Sequence, residues 1–364
     1  MIQRNGYSLE THYATTEDGY ILTVFRIPHG KHDSEKEIRK PVFLQHGFAS
    51  SSSSFVSTGR KSLAFILADE GYDVWLGNFR GSSYSRNHTH LKEDYSEYWD
   101  FSFHEYGIYD LPAQIDLVSN VTQQKIIYIG YSMGTMSMYI YGVTYPEIVQ
   151  ERIRVFVNLS PSAFLGYGKN LVNYLLHLWF IVEPIVQAVT NGKVFARLAI
   201  PPEVFRYICF PYPFQMTLCQ IPEMLAFGFS FEQIDPETLP VTYLQNPDWT
   251  SVKAFTHLTQ LVTTGNFQKY DYGKHANALI YGSTEPPHYN LSRLSIPTYF
   301  IRAQNDLVVT KENVEQLYEA LPEHAKPYDI HVIEDQNFNH LDFITAKDVV
   351  PLLYDHVVDF ISKH

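Results

Sequence analysis

Ser132 stands between two glycines in the run Ile126-Ile-Tyr-Ile-Gly-Tyr-Ser-Met-Gly134. A serine hydroxyl is a weak nucleophile until a base removes its proton and an acid orients that base. The apolar, β-branched residues before it read as a buried strand, and residues 135–145 continue as a helix. Strand, Gly-x-Ser-x-Gly, helix is the pattern that holds a serine on a sharp turn above the end of a sheet. Glycine on both sides removes Cβ clashes in that turn. The helix that follows points its N-terminus at the site and favours developing negative charge. Without this context, Ser132 would read as a turn residue only.

A base and its orienting acid lie downstream, in the order Ser, Asp, His. The strand Pro297–Ile301 runs into Arg-Ala-Gln-Asn-Asp-Leu, placing Asp306 in the loop past its carboxyl end. The strand Tyr328–Ile333 runs into Glu-Asp-Gln-Asn-Phe-Asn-His, placing His340 in the next such loop. Open α/β sheets bind ligands at those ends. Glu334 and Asp335 compete with Asp306 for the acid role, whereas Asp342 is too near His340 in sequence to reach its far nitrogen. A tetrahedral oxyanion needs two backbone N–H donors. Met133, after the serine, supplies one; Phe48, in Gln45-His-Gly-Phe48, supplies the other, with His46 bracing that loop. No cysteine and histidine cluster has zinc-site spacing, and no metal or organic cofactor is implied.

These residues require a frame. Residues 11–28 read as a β-hairpin turning at Glu-Asp-Gly. Strands are expected at Pro41–Leu44, Tyr72–Trp75 and Val155–Leu159, alternating with helices at 61–70 and 109–118. Such alternation predicts an α/β fold with a mostly parallel sheet and right-handed crossovers. It fails between 162 and 275, a helical, aromatic, proline-rich stretch, and resumes with the strands carrying Asp306 and His340 and helices near 311–321 and 346–362. The expected organisation is therefore a core from 1–161 and 276–364 with a cap inserted at 162–275.

The 364-residue chain has 45% hydrophobic and 18% charged residues, enough apolar material for a large core. A net charge of −12 argues against a nucleic-acid partner. The most apolar stretch, 171–189, is broken by Glu183-Pro184 and holds Asn173 and His177, which argues against a transmembrane segment and for a helical hairpin or an interfacial surface. The first residues lack a basic region followed by an apolar core, so a signal peptide is not expected. Sequons fall at Asn87, Asn120, Asn158 and Asn290, and Asn158 lies in an expected strand where a glycan would not fit. Cys209 and Cys219 are close enough in sequence either to close a small loop or to remain two buried thiols. Nothing in the sequence indicates an oligomeric state.

Long ordered segments resemble the animal acid lipase family, which includes gastric lipase, lysosomal acid lipase and many insect members. They are DGYILTVFRIP, VFLQHGF, LAFILADEGYDVWLGNFRGSSYSR, YWDFSFHEYGIYDLPAQID and NHLDFI. The chain reads as an insect-type member. The resemblance implies an α/β-hydrolase fold, the triad Ser132, Asp306 and His340, an oxyanion hole at Phe48 and Met133, and a Cys209–Cys219 disulfide in the cap. It also implies a secreted or lysosomal location. Two positions depart from the family: Tyr131-Ser-Met133 stands where His-Ser-Gln is usual, and Phe48 where leucine is common. Both donors act through backbone N–H groups, so a changed acyl fit is expected, with catalysis kept. The expected activity is hydrolysis of a neutral lipid ester at a lipid–water interface through an acyl-enzyme. A hydrolase of retinyl, wax or thioesters is the second enzyme reading, and a lipid carrier on a lipase scaffold is the non-enzymatic one.

Overall fold

The computed structural model describes residues 1–31, 38–168, 171–195 and 202–364. The hairpin forms β1 (Glu10–Thr15) and β2 (Tyr20–Ile27), antiparallel and in register from Glu10 opposite Arg26 to Thr15 opposite Ile21. There follow β3 (Pro41–Gln45), β4 (Asp73–Gly77), the short β5 (Asn87–His88), β6 (Ile126–Tyr131) and β7 (Ile153–Leu159). A two-stranded ribbon, β8 (Lys193–Val194) with β9 (Thr250–Ser251), lies apart. β10 (Thr298–Arg302) and β11 (His331–Val332) complete the main sheet. Its order is β1-β2-β4-β3-β6-β7-β10-β11, with β5 paired to β2. All pairs from β4 to β11 are parallel. The chain thus has the expected α/β architecture.

The central strands are buried on both faces because their side chains alternate between two cores. Phe43, Trp75, Tyr128, Phe156 and Phe300 point into one, against Ile115 and Val118 of the helix Leu111–Thr122 and Ile140 of the helix Met133–Thr144. Val42, Leu44, Ile127, Ile129 and Val157 point into the other, against Phe65 of the helix Leu63–Asp69 and Val357 of the helix Asp355–Ser362. Each such side chain, fully buried, contributes about 2 kcal/mol.

Two expected elements differ. The strand expected over Tyr328–Ile333 pairs only at His331 and Val332, because Tyr328 leaves the ladder to pack edge-on to Tyr299 and Phe360. The break in 171–189 falls between the helices Leu171–Leu176 and Trp179–Thr190, not at Pro184, which lies inside the second helix. Within the segment 162–275 expected as a cap, residues 169–170 and 196–201 lie outside the described residues, and the helix Lys274–Tyr281 crosses its end. Asn158 is fully buried in β7 and accepts from Tyr139, whereas Asn87, Asn120 and Asn290 are exposed. Among the described residues no helix is long and apolar enough to cross a membrane.

Arg80 ties the hairpin to the core. Its guanidinium donates to Asp110 Oδ1 at 2.7 Å and Asp18 Oδ1 at 2.9 Å, and sits 3.9 Å from the Tyr20 ring centroid. Removing it leaves the fully buried Asp110 carboxylate without its cation. Arg80→Ala is therefore expected to destabilise the fold by about 3–5 kcal/mol, read as a lowered urea midpoint.

Candidate active site

β6 ends at Tyr131, and Ser132 takes φ +51°, ψ −117° before the helix Met133–Thr144 begins. A non-glycine residue persists there only when its surroundings over-determine it. They do: Ser132 N donates to Leu159 O at 3.0 Å, and its carbonyl accepts from Thr135 N at 2.8 Å and Thr135 Oγ1 at 2.6 Å. The flanking glycines are closed to side chains. A Cβ on Gly134 would lie 2.5 Å from Gln45 O, and one on Gly130 would lie 2.9 Å from Gly134 C.

The expected partners converge on this turn. His340 Nε2 is 3.0 Å from Ser132 Oγ, and His340 Nδ1 is 2.7 Å from Asp306 Oδ2. An ionised carboxylate only accepts, so Nδ1 carries the proton and Nε2 presents a lone pair to the serine. Asp306 Oδ1 accepts from Val308 N at 2.9 Å and Val309 N at 2.8 Å, which aims the carboxylate. All three residues are buried. The Phe227 ring stacks on the imidazole, centroids 5.7 Å apart, and Tyr131 donates its hydroxyl to His340 O at 2.8 Å. The unusual Tyr131 of the elbow therefore clamps the histidine loop.

Of the competing carboxylates, Glu334 is exposed and Asp335 is engaged elsewhere, as is Asp342, which was not expected to reach the far nitrogen. Asp335 Oδ2 accepts from Gln233 Nε2 at 2.8 Å, and Asp342 Oδ2 accepts from Asn339 N at 2.8 Å. Burial pushes the Asp342 carboxyl up to about 7. The N–H groups of Phe48 and Met133 donate to no other described residue, and Met133 is the first residue of its helix, where N–H groups lack intrahelical acceptors. His46 Nδ1 bonds Gly47 O at 2.8 Å while Nε2 accepts from Phe79 N at 3.1 Å. Burial lowers its pKa to about 4, so it stays neutral as a brace.

Sequence reasoning missed Ser160. It lies just past β7, at φ +54°, and its hydroxyl donates to Asp306 Oδ2 at 2.7 Å while lying 3.0 Å from His340 Nδ1. The available signal was its place past a strand end; only the sheet order puts β7 between β6 and β10. Hydrogen bonds to a charged group contribute about 1.5–3 kcal/mol. Ser160→Ala is expected to lower kcat by about 10- to 100-fold with KM nearly unchanged, because it frees the Asp306 carboxylate without removing a group that would contact substrate.

Ser132 and His340 open on a cavity of about 530 Å³ lined mainly by apolar side chains, among them Phe48, Met136, Met224, Phe255, Leu258 and Val262. Cys209 and Cys219 are joined by a disulfide that ties the helix Pro202–Cys209 to the helix Phe214–Phe227.

The fold is that of an α/β hydrolase. Residues 1–59 match the partial alpha/beta-hydrolase lipase region, and residues 40–180 the alpha/beta hydrolase fold. The chain is 37% identical to human gastric triacylglycerol lipase, covering 100% of this chain and 90% of that protein. It is 34% identical to Lipase 1 of Drosophila melanogaster, covering 100% of this chain and 79% of that one. The yeast (Saccharomyces cerevisiae) monoglyceride lipase structure shares the fold with TM-score 0.59 at 13% identity, covering 100% of this chain and 97% of that one. The chain belongs to the animal acid lipase family, and it is a carboxylic ester hydrolase.

Proposed function

We propose that this chain hydrolyses neutral lipid esters, triacylglycerol or steryl ester, with Ser132 as nucleophile, His340 as base and Asp306 as orienting acid. The carrying observation is the buried Ser132–His340–Asp306 chain opening on a largely apolar cavity. Ser132 Oγ attacks the ester carbonyl carbon while its proton passes to His340 Nε2. The oxygen's new charge falls to the N–H groups of Phe48 and Met133. His340 then protonates the leaving alcohol oxygen, the C–O bond breaks, and an acyl-Ser132 remains. Water, deprotonated by the same nitrogen, attacks the acyl carbon; the serine regains its proton and the fatty acid leaves.

In this reading residues 162–275 form the cap over the cavity. Ile181, Ile185 and Val189 of the helix Trp179–Thr190, and Phe214 and Leu218 of the helix Phe214–Phe227, are exposed. Apolar groups on that scale favour contact with a lipid–water interface. The disulfide and the exposed sequons Asn87, Asn120 and Asn290 accord with a secreted or lysosomal location.

The test is release of fatty acid from emulsified long-chain triacylglycerol and steryl ester, with a short soluble ester beside them. Turnover of an emulsified ester supports the reading, and the faster of the two names the substrate. Cleavage of the soluble ester alone, or of none, overturns it.

A further inference from the structure

One wall of the ester cavity is polar. The helix Phe214–Phe227 turns Gln220, Glu223, Met224 and Phe227 toward the cavity, the spacing of one helical face. Phe227 stacks on His340. At 1.5 Å per residue, Glu223 lies about 6 Å and Gln220 about 10 Å further along that helix. From the helix Leu239–Gln245, Tyr243 donates its hydroxyl to Glu223 Oε2 at 3.0 Å, and the Gln220 side chain hydrogen-bonds the same hydroxyl. Gln220 is nine-tenths buried, and among the described residues nothing donates to its Oε1. A buried amide oxygen without a donor costs free energy that a ligand O–H would recover. The acceptors here are an amide oxygen and a carboxyl, so the missing group is a hydrogen-bond donor. Burial pushes the Glu223 carboxyl up to about 7, and either of its protonation states keeps an oxygen able to accept a ligand O–H.

We propose that Gln220, with Glu223 and Tyr243, forms a subsite that selects esters carrying a free hydroxyl beside the scissile ester group. This rests on the reading of the cavity as the ester site. Such a hydroxyl has two sources: the alcohol part, as in a partial glyceride, or the acyl chain, as in a hydroxy-fatty ester. The apolar remainder of the cavity takes the hydrocarbon, and the subsite distinguishes esters that the triad alone would treat alike.

The experiment uses ligands that cannot be hydrolysed. Binding of octyl glyceryl ether and of its hydroxyl-free analogue, octyl propyl ether, is followed by calorimetry for the wild type and for Gln220→Met, which keeps the side chain's length. The wild type is expected to bind the diol at least about tenfold more tightly. Gln220→Met should bring the two affinities together, leaving that of octyl propyl ether unchanged. Rates on a monoacylglycerol, the methyl ester of the same acid and a methyl ester hydroxylated on the acyl chain beside its carbonyl then show which source the subsite reads. Equal wild-type affinities for the two ethers overturn the proposal without the variant, as does equal weakening of both by Gln220→Met. If the ethers are distinguished but no ester is cleaved, the subsite stands and the hydrolytic reading falls. If esters are cleaved and the ethers are not distinguished, only the subsite falls.

Discussion

Ser132→Ala is expected to lower kcat by about six powers of ten, the loss seen when a triad nucleophile is removed. The size of the effect follows from the geometry. Ser132 Oγ is the group 3.0 Å from His340 Nε2, and the turn at φ +51° aims it at the cavity. Alanine removes the bond-forming atom and leaves the Phe48 and Met133 N–H groups in place. The residual rate over water, about 10³–10⁴, would then come from those donors and from binding. Stability should change little, because the turn is held by backbone bonds to Leu159 and by Thr135. Single-turnover release of the alcohol, with Tm alongside, checks both parts. A variant that retained even a tenth of wild-type turnover would remove Ser132 from the mechanism.

Asp306→Asn is expected to cost about 10⁴ in kcat with the fold retained. The carboxylate accepts four hydrogen bonds: from Val308 N, Val309 N, Ser160 Oγ and His340 Nδ1. An amide keeps the shape, and its carbonyl can keep the two backbone donors. Its NH₂ then faces Nδ1 and donates to it, so the imidazole proton moves to Nε2. That nitrogen can no longer take the serine's proton. The loss should appear in kcat, with ether binding in the cavity unchanged. Asp335 bonds Gln233 and Asp342 bonds the Asn339 backbone, and among the described residues Asp306 is the carboxylate bonded to the imidazole. Full activity in Asp306→Asn would assign the acid role to another residue.

Much of this was legible without coordinates because it is local. Ile126–Ile129 alternate between two apolar cores, Gly130 and Gly134 bracket the serine, and Asp306 and His340 each follow a strand. All of these are statements about neighbours within a few residues. The ordinary periods of strand and helix carry them. The helical stretch after residue 162 was legible as a failure of the alternation. Its internal break was not, because proline is compatible with the helix Trp179–Thr190 and the chain turns just before it.

The fold class, the chemical types at the site and their order along the chain are all carried by short local patterns. Tertiary structure decided which groups meet. Ser132 and His340 are 208 residues apart and His340 and Asp306 are 34 apart, so their contact depends on the strand order. That same order puts β7 between the strands that carry Ser132 and Asp306, which is why Ser160 reaches Asp306 and why its spacing in the chain did not reveal it. The choice of Asp306 over Asp335, the Tyr131 clamp on His340 and the polar wall at Gln220 have the same origin. Each depends on where a side chain lies after distant segments pack, and side-chain direction across a packed interface is not a periodic property of the chain.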